Sequence, residues 1–250
     1  MTFWEMVAVF LAGTAAGTIN TVVGSGTLIT FPTLLAMGVP PVTANVSNNI
    51  GLVPGSVSGA YGYRRELHGQ RARLLRLGPA SLLGGLAGAV LLLVLPSKAF
   101  DAIVPALILA GVLLVVFQPA INRRLAERGD RPEHGAAWVW ALVFLAGIYG
   151  GYFGAAQGVL LMAVLGVGLH ETMQRNNATK NVLAALVNGV AAVLFILVAD
   201  VNWTIVALIA VGSTIGGQVG ATVGRRLSPT LLRATIVLVG LTAFVAFLVD

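Results

Sequence analysis

The stretch "NTVVGSGTLITFP", Asn20 to Pro32, sits inside a very apolar opening, and its reading decides the fold. Glycine, serine and proline weaken a helix. In hydrocarbon, each backbone N–H or C=O they release must find another partner at a heavy cost otherwise. A break at this point therefore needs a use. The expected local structure is one helix ending around Val23 and another starting near Thr27, with Gly24, Ser25 and Gly26 as bare backbone between them.

The surroundings fix the solvent. Of the 250 residues, 57% are hydrophobic and 10% charged, and mean hydropathy is +0.92; soluble domains carry about 25% charged residues. The chain is expected to be embedded in a membrane. A span needs roughly 20 apolar residues, and windows of that size recur near 3–22, 77–95, 101–121, 136–153, 181–199, 203–223 and 231–249. The longest polar stretches, "YRRELHGQRARLLR" (63–76) and "NRRLAERGDRPEH" (122–134), are too short for a water-soluble catalytic module. No Lys or Arg precedes the first apolar run, so it is read as a first helix and not as a cleavable signal. Without cysteine there are no disulfides and no thiolate chemistry. The net charge of +6 comes from arginines near span ends without interleaved aromatics, which suits membrane lipid headgroups and not nucleic acid.

Those arginines set an orientation. Arg64, Arg65, Arg71, Arg73 and Arg76 fall in one cluster, Arg123, Arg124, Arg128 and Arg131 in a second, and Arg225, Arg226 and Arg233 in a third. Positive segments stay cytoplasmic. The basic loops 64–76 and 122–134 are thus expected in the cytoplasm, on the inner face of the cell membrane. An even number of crossings must separate the clusters, which makes 136–168 a hairpin that leaves and returns.

An internal repeat sharpens the picture. "VFLAGTAAG" (9–17) matches "VFLAGIYGG" (143–151), and "NVSNNIGLVPG" (45–55) aligns with "NATKNVLAALVNG" (177–189), pairing Asn45 with Asn177, Ser47 with Thr179, Asn48 with Lys180 and Asn49 with Asn181. Each half reads as a hairpin of a long and a short helix followed by three spans. An odd number of spans turns the second half upside down. The expected fold is an all-α polytopic membrane protein of two inverted-topology repeats, 1–121 and 136–250, joined by a basic cytoplasmic linker at 122–135. Whether the short helices 27–37 and 157–168 cross fully or re-enter stays open.

Inverted repeats with broken helices are a transporter architecture, with substrate near the midplane where the breaks meet. Freed N–H groups and the positive end of the following helix suit an anion. The turn at Gly24, Ser25, Gly26 and Thr27 and its counterpart at Gly154, Gln157 and Gly158 are the expected backbone cradle. Their bland alternative is close packing through small residues.

The pattern "GTINTVVGSGTLITFPTLLAMGVPPVTANVSNN", repeated more loosely as "GGYFGAAQGVLLMAVLGVGLHETMQRNNATKN", resembles the sulfite exporter TauE/SafE family of membrane permeases over nearly the whole chain. The resemblance implies transport of sulfite, sulfonates or related sulfur-containing and organic anions across the cytoplasmic membrane.

Charge at membrane depth is expensive and tends to be functional. Lys180, with Thr179 and Asn181 beside it, offers a cation with hydroxyl and amide donors, a set that suits an oxyanion. Ser47 and Asn48 are the uncharged counterparts in the first half. Arg175 reads as one more positive-inside residue, and Glu171, four residues before it, as its ion-pair partner and not as a proton carrier. Glu5, Asp101 and Asp200 are expected at the water interface. An enzyme is not expected. An intramembrane serine protease would need a histidine beside "GSG", and a lipid phosphatase closely placed acids. A passive anion channel would suit a ring of like charge, which is missing. The expected substrate is a small anion. No cofactor or metal is expected, and a homo-oligomer is left open.

Overall fold

The computed structural model describes residues 1–126, 136–223 and 229–249. Within them the chain forms ten helices: α1 (Phe3–Val22), α2 (Thr27–Ala36), α3 (Pro41–Gly62), α4 (Arg71–Val94), α5 (Ser97–Ala126), α6 (Ala137–Tyr152), α7 (Gln157–Gly168), α8 (Met173–Val198), α9 (Trp203–Thr222) and α10 (Pro229–Val249). Among the described residues, five helices are long and apolar enough to cross a bilayer: α1, α4, α8, α9 and the Ser97–Phe117 part of α5. The all-helical membrane fold is as the composition requires.

Local chemistry explains where these helices start and stop. Thr2 and Glu5 form a reciprocal capping box at the start of α1. Thr172 caps α8 through the Arg175 N–H, and Asn202 caps α9 through the Ile205 N–H. Proline opens α3, where its missing N–H costs nothing.

Two boundaries differ from expectation. Helix α4 begins at Arg71, before the apolar window at 77, so Arg71, Arg73 and Arg76 are helical and not loop residues. The reason is tertiary: Arg73 is buried at 4% exposure among polar partners, so hydropathy could not mark it as inside. Helix α5 continues past 121 to Ala126. The basic clusters at 127–134 and 225–226 lie outside the described residues.

Small residues let the helices approach closely. Added Cβ atoms at Gly212, Gly216 and Gly220 of α9 would run into the backbone of α1 around Phe10, Thr14 and Thr18. Gly84 and Gly88 of α4 meet the backbone of α6 around Phe144 and Ile148 in the same way. In both seams the residue numbers rise together, so α1 runs parallel to α9 and α6 parallel to α4. Helix α3 also lies along α9, with Gly55 at Ser213 and Gly62 at Ala221, while Gly85 of α4 packs on Val187 and Val190 of α8. Helices α2 and α10 touch, as do α7 and α5. Exchanging α1–α5 for α6–α10 in order leaves this pattern of partners unchanged. Each broken helix thus packs chiefly on a span from the other half.

Candidate functional site

The quoted stretch breaks as its glycines suggest. The N–H groups of Val23 and Gly24 both return to Ile19 O, and Gly24 adopts φ +94°. In the second half Phe153 and Gly154 both return to Tyr149 O, and Gly154 adopts φ +76°. A glycine in the left-handed region ends a helix without the Cβ penalty any other residue would meet. The same stop signal therefore operates twice, before α2 and before α7.

Ending a helix in a dry interior leaves its last carbonyls without donors. The other half supplies them. From α8, Asn177 Nδ2 donates to Thr21 O at 3.0 Å and Asn181 Nδ2 to the same oxygen at 3.3 Å. Lys180 Nζ donates to Asn20 O at 2.8 Å and Thr21 O at 3.2 Å. From α3, Asn45 Nδ2 donates to Tyr152 O at 2.9 Å, at the end of α6. An ammonium at a helix C-terminus also meets the favourable end of its dipole.

The two turns touch one another. Gly158 N–H donates to Gly24 O at 3.0 Å. Beside this contact lies a cavity of about 30 Å³, lined by Gly24, Thr27, Gly154, Gln157, Gly158, Lys180 and Asn181 of the expected residues. With ~10–15 Å³ needed per water, it has room for a couple of waters. Sequence reasoning missed five further lining residues, Asn20, Thr21, Ser56, Ala184 and Asn188. Asn188 Nδ2 donates to Ser56 Oγ at 3.2 Å, joining α8 to α3 across the cavity. The signal for Asn20 was available: it lies in the quoted stretch, and its Oδ1 accepts from Gly26 N–H at 2.7 Å.

The remaining expected residues are held elsewhere. Ser47 Oγ accepts from the Asn202 N–H at 3.0 Å, and Thr179 Oγ1 donates to Gln70 Oε1 at 2.7 Å. Asn48 Nδ2 reaches Thr27 Oγ1 at 3.4 Å, and Ser25 is fully buried away from the cavity lining. The Gly26 and Gly158 amides, expected in an anion cradle, are satisfied by Asn20 and Gly24.

Two features of the cavity matter chemically. Lys180 is 1% exposed, and among the described residues no carboxylate pairs with it. Gln157, also buried, points an Nε2 with no protein partner. The Lys180 amino group and an orphan donor thus line one small cavity.

Toward the basic-loop end, Glu171 is gripped by two arginines. Arg175 Nε lies 2.6 Å from its Oε2 and Arg73 Nη1 3.1 Å from its Oε1. Burial pushes the Glu171 carboxyl up, but the hydrogen bonds and charges of Arg175 and Arg73 outweigh it and hold the group below the usual glutamate range. At the opposite end a cavity of about 490 Å³ opens among the start of α3, the end of α4 and the α8–α9 loop, with Asp101 and Asp200 in its wall.

The sequence profile of the family described as sulfite exporter TauE/SafE matches residues 9–247. The chain belongs to the TauE/SafE family. It is 26% identical over 258 residues to "Probable membrane transporter protein ORF9" of a Sinorhizobium species, covering 100% of this chain and 95% of that protein. It is also 26% identical to "Probable membrane transporter protein YfcA" of Escherichia coli K12, across 96% and 88% of the two chains. A "Probable membrane transporter protein" of Haemophilus influenzae Rd is 26% identical across 92% and 89%. This TauE/SafE chain is accordingly an integral membrane transporter.

Proposed function

We propose that the protein carries small anions, with sulfite, sulfonates or related sulfur-containing and organic anions as the substrate class, by alternating access around the Lys180 cavity. The observation that carries this reading is the buried Lys180 amino group without a carboxylate partner among the described residues. A lone charge in a poorly solvated interior is costly. A transient anionic ligand would relieve that cost, and two of the three ammonium protons already fix its direction.

The two halves, 1–121 and 136–250, act in this reading as inverted repeats about the Gly24–Gly158 contact. The parallel pairing of α1 with α9 and of α6 with α4 supports that relation, because α4 and α9 are equivalents in opposite halves. Anion would arrive from the basic face, taken here as cytoplasmic, or from the cavity beside Asp101 and Asp200, and rocking of the halves would expose Lys180 to each in turn. Gln157 Nε2, Asn181 and Thr27 would complete its coordination.

The test is counterflow in proteoliposomes. Preloading with unlabelled sulfite should accelerate uptake of radiolabelled sulfite, and the rate should saturate. Uptake that grows linearly with concentration and ignores preloading would point to a pore. No stabilisation of the purified protein by sulfite, methanesulfonate or small carboxylates would remove the proposed substrate class.

A further inference from the structure

The polar cluster at the basic-loop end does more than orient the chain. Glu171 lies in the turn before α8, and its two carboxylate oxygens are divided between Arg73 of α4 and Arg175 of α8. The same residues hold the loop between α3 and α4. Arg175 Nη1 donates to His68 O at 3.0 Å, Gln70 Nε2 donates to Arg175 O at 3.1 Å, and Gln70 Oε1 accepts from both Arg73 and Thr179. Thr179 is the residue before Lys180, so the network ends against the candidate anion site on its basic-loop side. Arg73 at 4% and Gln70 at 1% exposure are far more buried than polar residues at a water interface need be.

The geometry points to an inner gate: Arg73, Glu171 and Arg175 latch the α3–α4 loop onto the start of α8 and close the path from the basic face to Lys180. This gate rests on the reading of the Lys180 cavity as the substrate site. Two guanidiniums around one carboxylate keep a net positive charge and planar donors suited to oxyanions. An arriving oxyanion competes with Glu171 for them, so the carboxylate serves as a tethered stand-in for the substrate. Release of Glu171 unties Arg73 of α4 from the start of α8 and takes from Arg175 the partner that orients its bond to His68 O, so that loop 63–70 can swing from α8.

The natural chain has no cysteine, which gives a clean background for accessibility measurements. Ala184 lines the cavity and is the reporter position, as Ala184→Cys. Its labelling by a membrane-impermeant methanethiosulfonate reagent is followed in inside-out and right-side-out vesicles, with and without Glu171→Gln. The gate requires Glu171→Gln to raise labelling from the basic-loop face by about tenfold while leaving the other face unchanged. Arg175→Gln, which keeps the Arg73–Glu171 pair but removes the bond to His68 O, should also raise labelling on the same face and serves if the first variant does not fold. Equal labelling with and without either substitution overturns the gate, and so does a rise of the same size on both faces, since that reports general loosening. A separate readout guards the underlying site: if fully labelled Ala184→Cys still carries sulfite at the unlabelled rate, the cavity is not on the substrate path, whatever the latch does.

Discussion

Gly158 donates its backbone N–H to the carbonyl of Gly24 at 3.0 Å, so the breaks in the two halves meet main chain to main chain. A Cβ on either glycine would sit well inside contact distance of the other's Cα. At Gly24 the φ of +94° adds a second objection to any side chain.

Gly24→Ala should therefore cost about 1–2 kcal/mol for the left-handed backbone and a further 1–3 kcal/mol, roughly, for overpacking. Gly158→Ala carries only the second penalty. Thermal unfolding of the purified variants should rank wild type above Gly158→Ala and Gly158→Ala above Gly24→Ala. Equal midpoints for all three would mean that the turns are not in contact in the membrane.

Lys180 has two candidate jobs that a substitution can separate. As a cap it donates to Asn20 O and Thr21 O; as a ligand it offers charge to an anion. Lys180→Met keeps the volume and removes the charge. It leaves one carbonyl, Asn20 O, short of a donor, a loss of roughly 1–3 kcal/mol, and it relieves the burial of an unpaired ammonium, which acts in the opposite direction. Thr21 O keeps Asn177 and Asn181. The expected outcome is a midpoint within a few degrees of wild type and no anion transport. A variant that is much less stable yet transports normally would make Lys180 a cap alone.

The breaks at Gly24 and Gly154 were legible because glycine at a helix end is a local signal, repeated in both halves. Lys180 was legible because a charge inside an apolar helix is conspicuous. What escaped was set by long-range pairing. Ser47 and Thr179 look like equals of Asn48 and Lys180 in the aligned stretches, yet their hydroxyls are engaged by Asn202 and Gln70, partners far away in sequence. Asn20, Ser56 and Asn188 join the cavity only because α1, α3 and α8 converge. Arg73 read as a loop cation for the same reason, since hydropathy does not see Glu171 across the bundle.

The exchanged caps make an unequal pair. Asn45 is the side-chain donor to Tyr152 O, whereas Thr21 O receives Asn177, Lys180 and Asn181. Asn45→Ala should then lower stability by about 1–3 kcal/mol, the cost of an orphaned buried carbonyl. Asn177→Ala should cost less than half of that. Chemical denaturation in detergent can rank the two, and the opposite order would refute the capping assignment.

Not every glycine in the bundle is there for contact. A Cβ at Gly88 would collide with Ile148 O, while one at Gly189 in the middle of α8 would meet nothing within 4 Å. Gly189→Ala should stabilise by roughly 0.5–1 kcal/mol through helix propensity. Gly88→Ala should separate α4 from α6 and lower the yield of folded protein. Size-exclusion profiles and thermal midpoints distinguish the two substitutions directly.

The Glu171 latch carries its own dependence on pH. Arg175 and Arg73 hold the carboxyl below its ordinary value of 4.5 against the upward push of burial. Its folded pKa is thus lower than its unfolded pKa, and the unfolded state binds the proton more readily in that interval. The stabilisation from the latch is fully present above the unfolded value and is lost as pH falls through the folded one. Between pH 5 and 8 the latch should contribute a constant amount, so any transport change there must have another source. Below about pH 4.5 wild type should lose stability faster than Glu171→Gln, because the amide has no charge left to neutralise. Unfolding midpoints of the two proteins, measured from pH 7 down to pH 3, should converge as acid is added; parallel curves would mean that the two ion pairs contribute nothing to the fold.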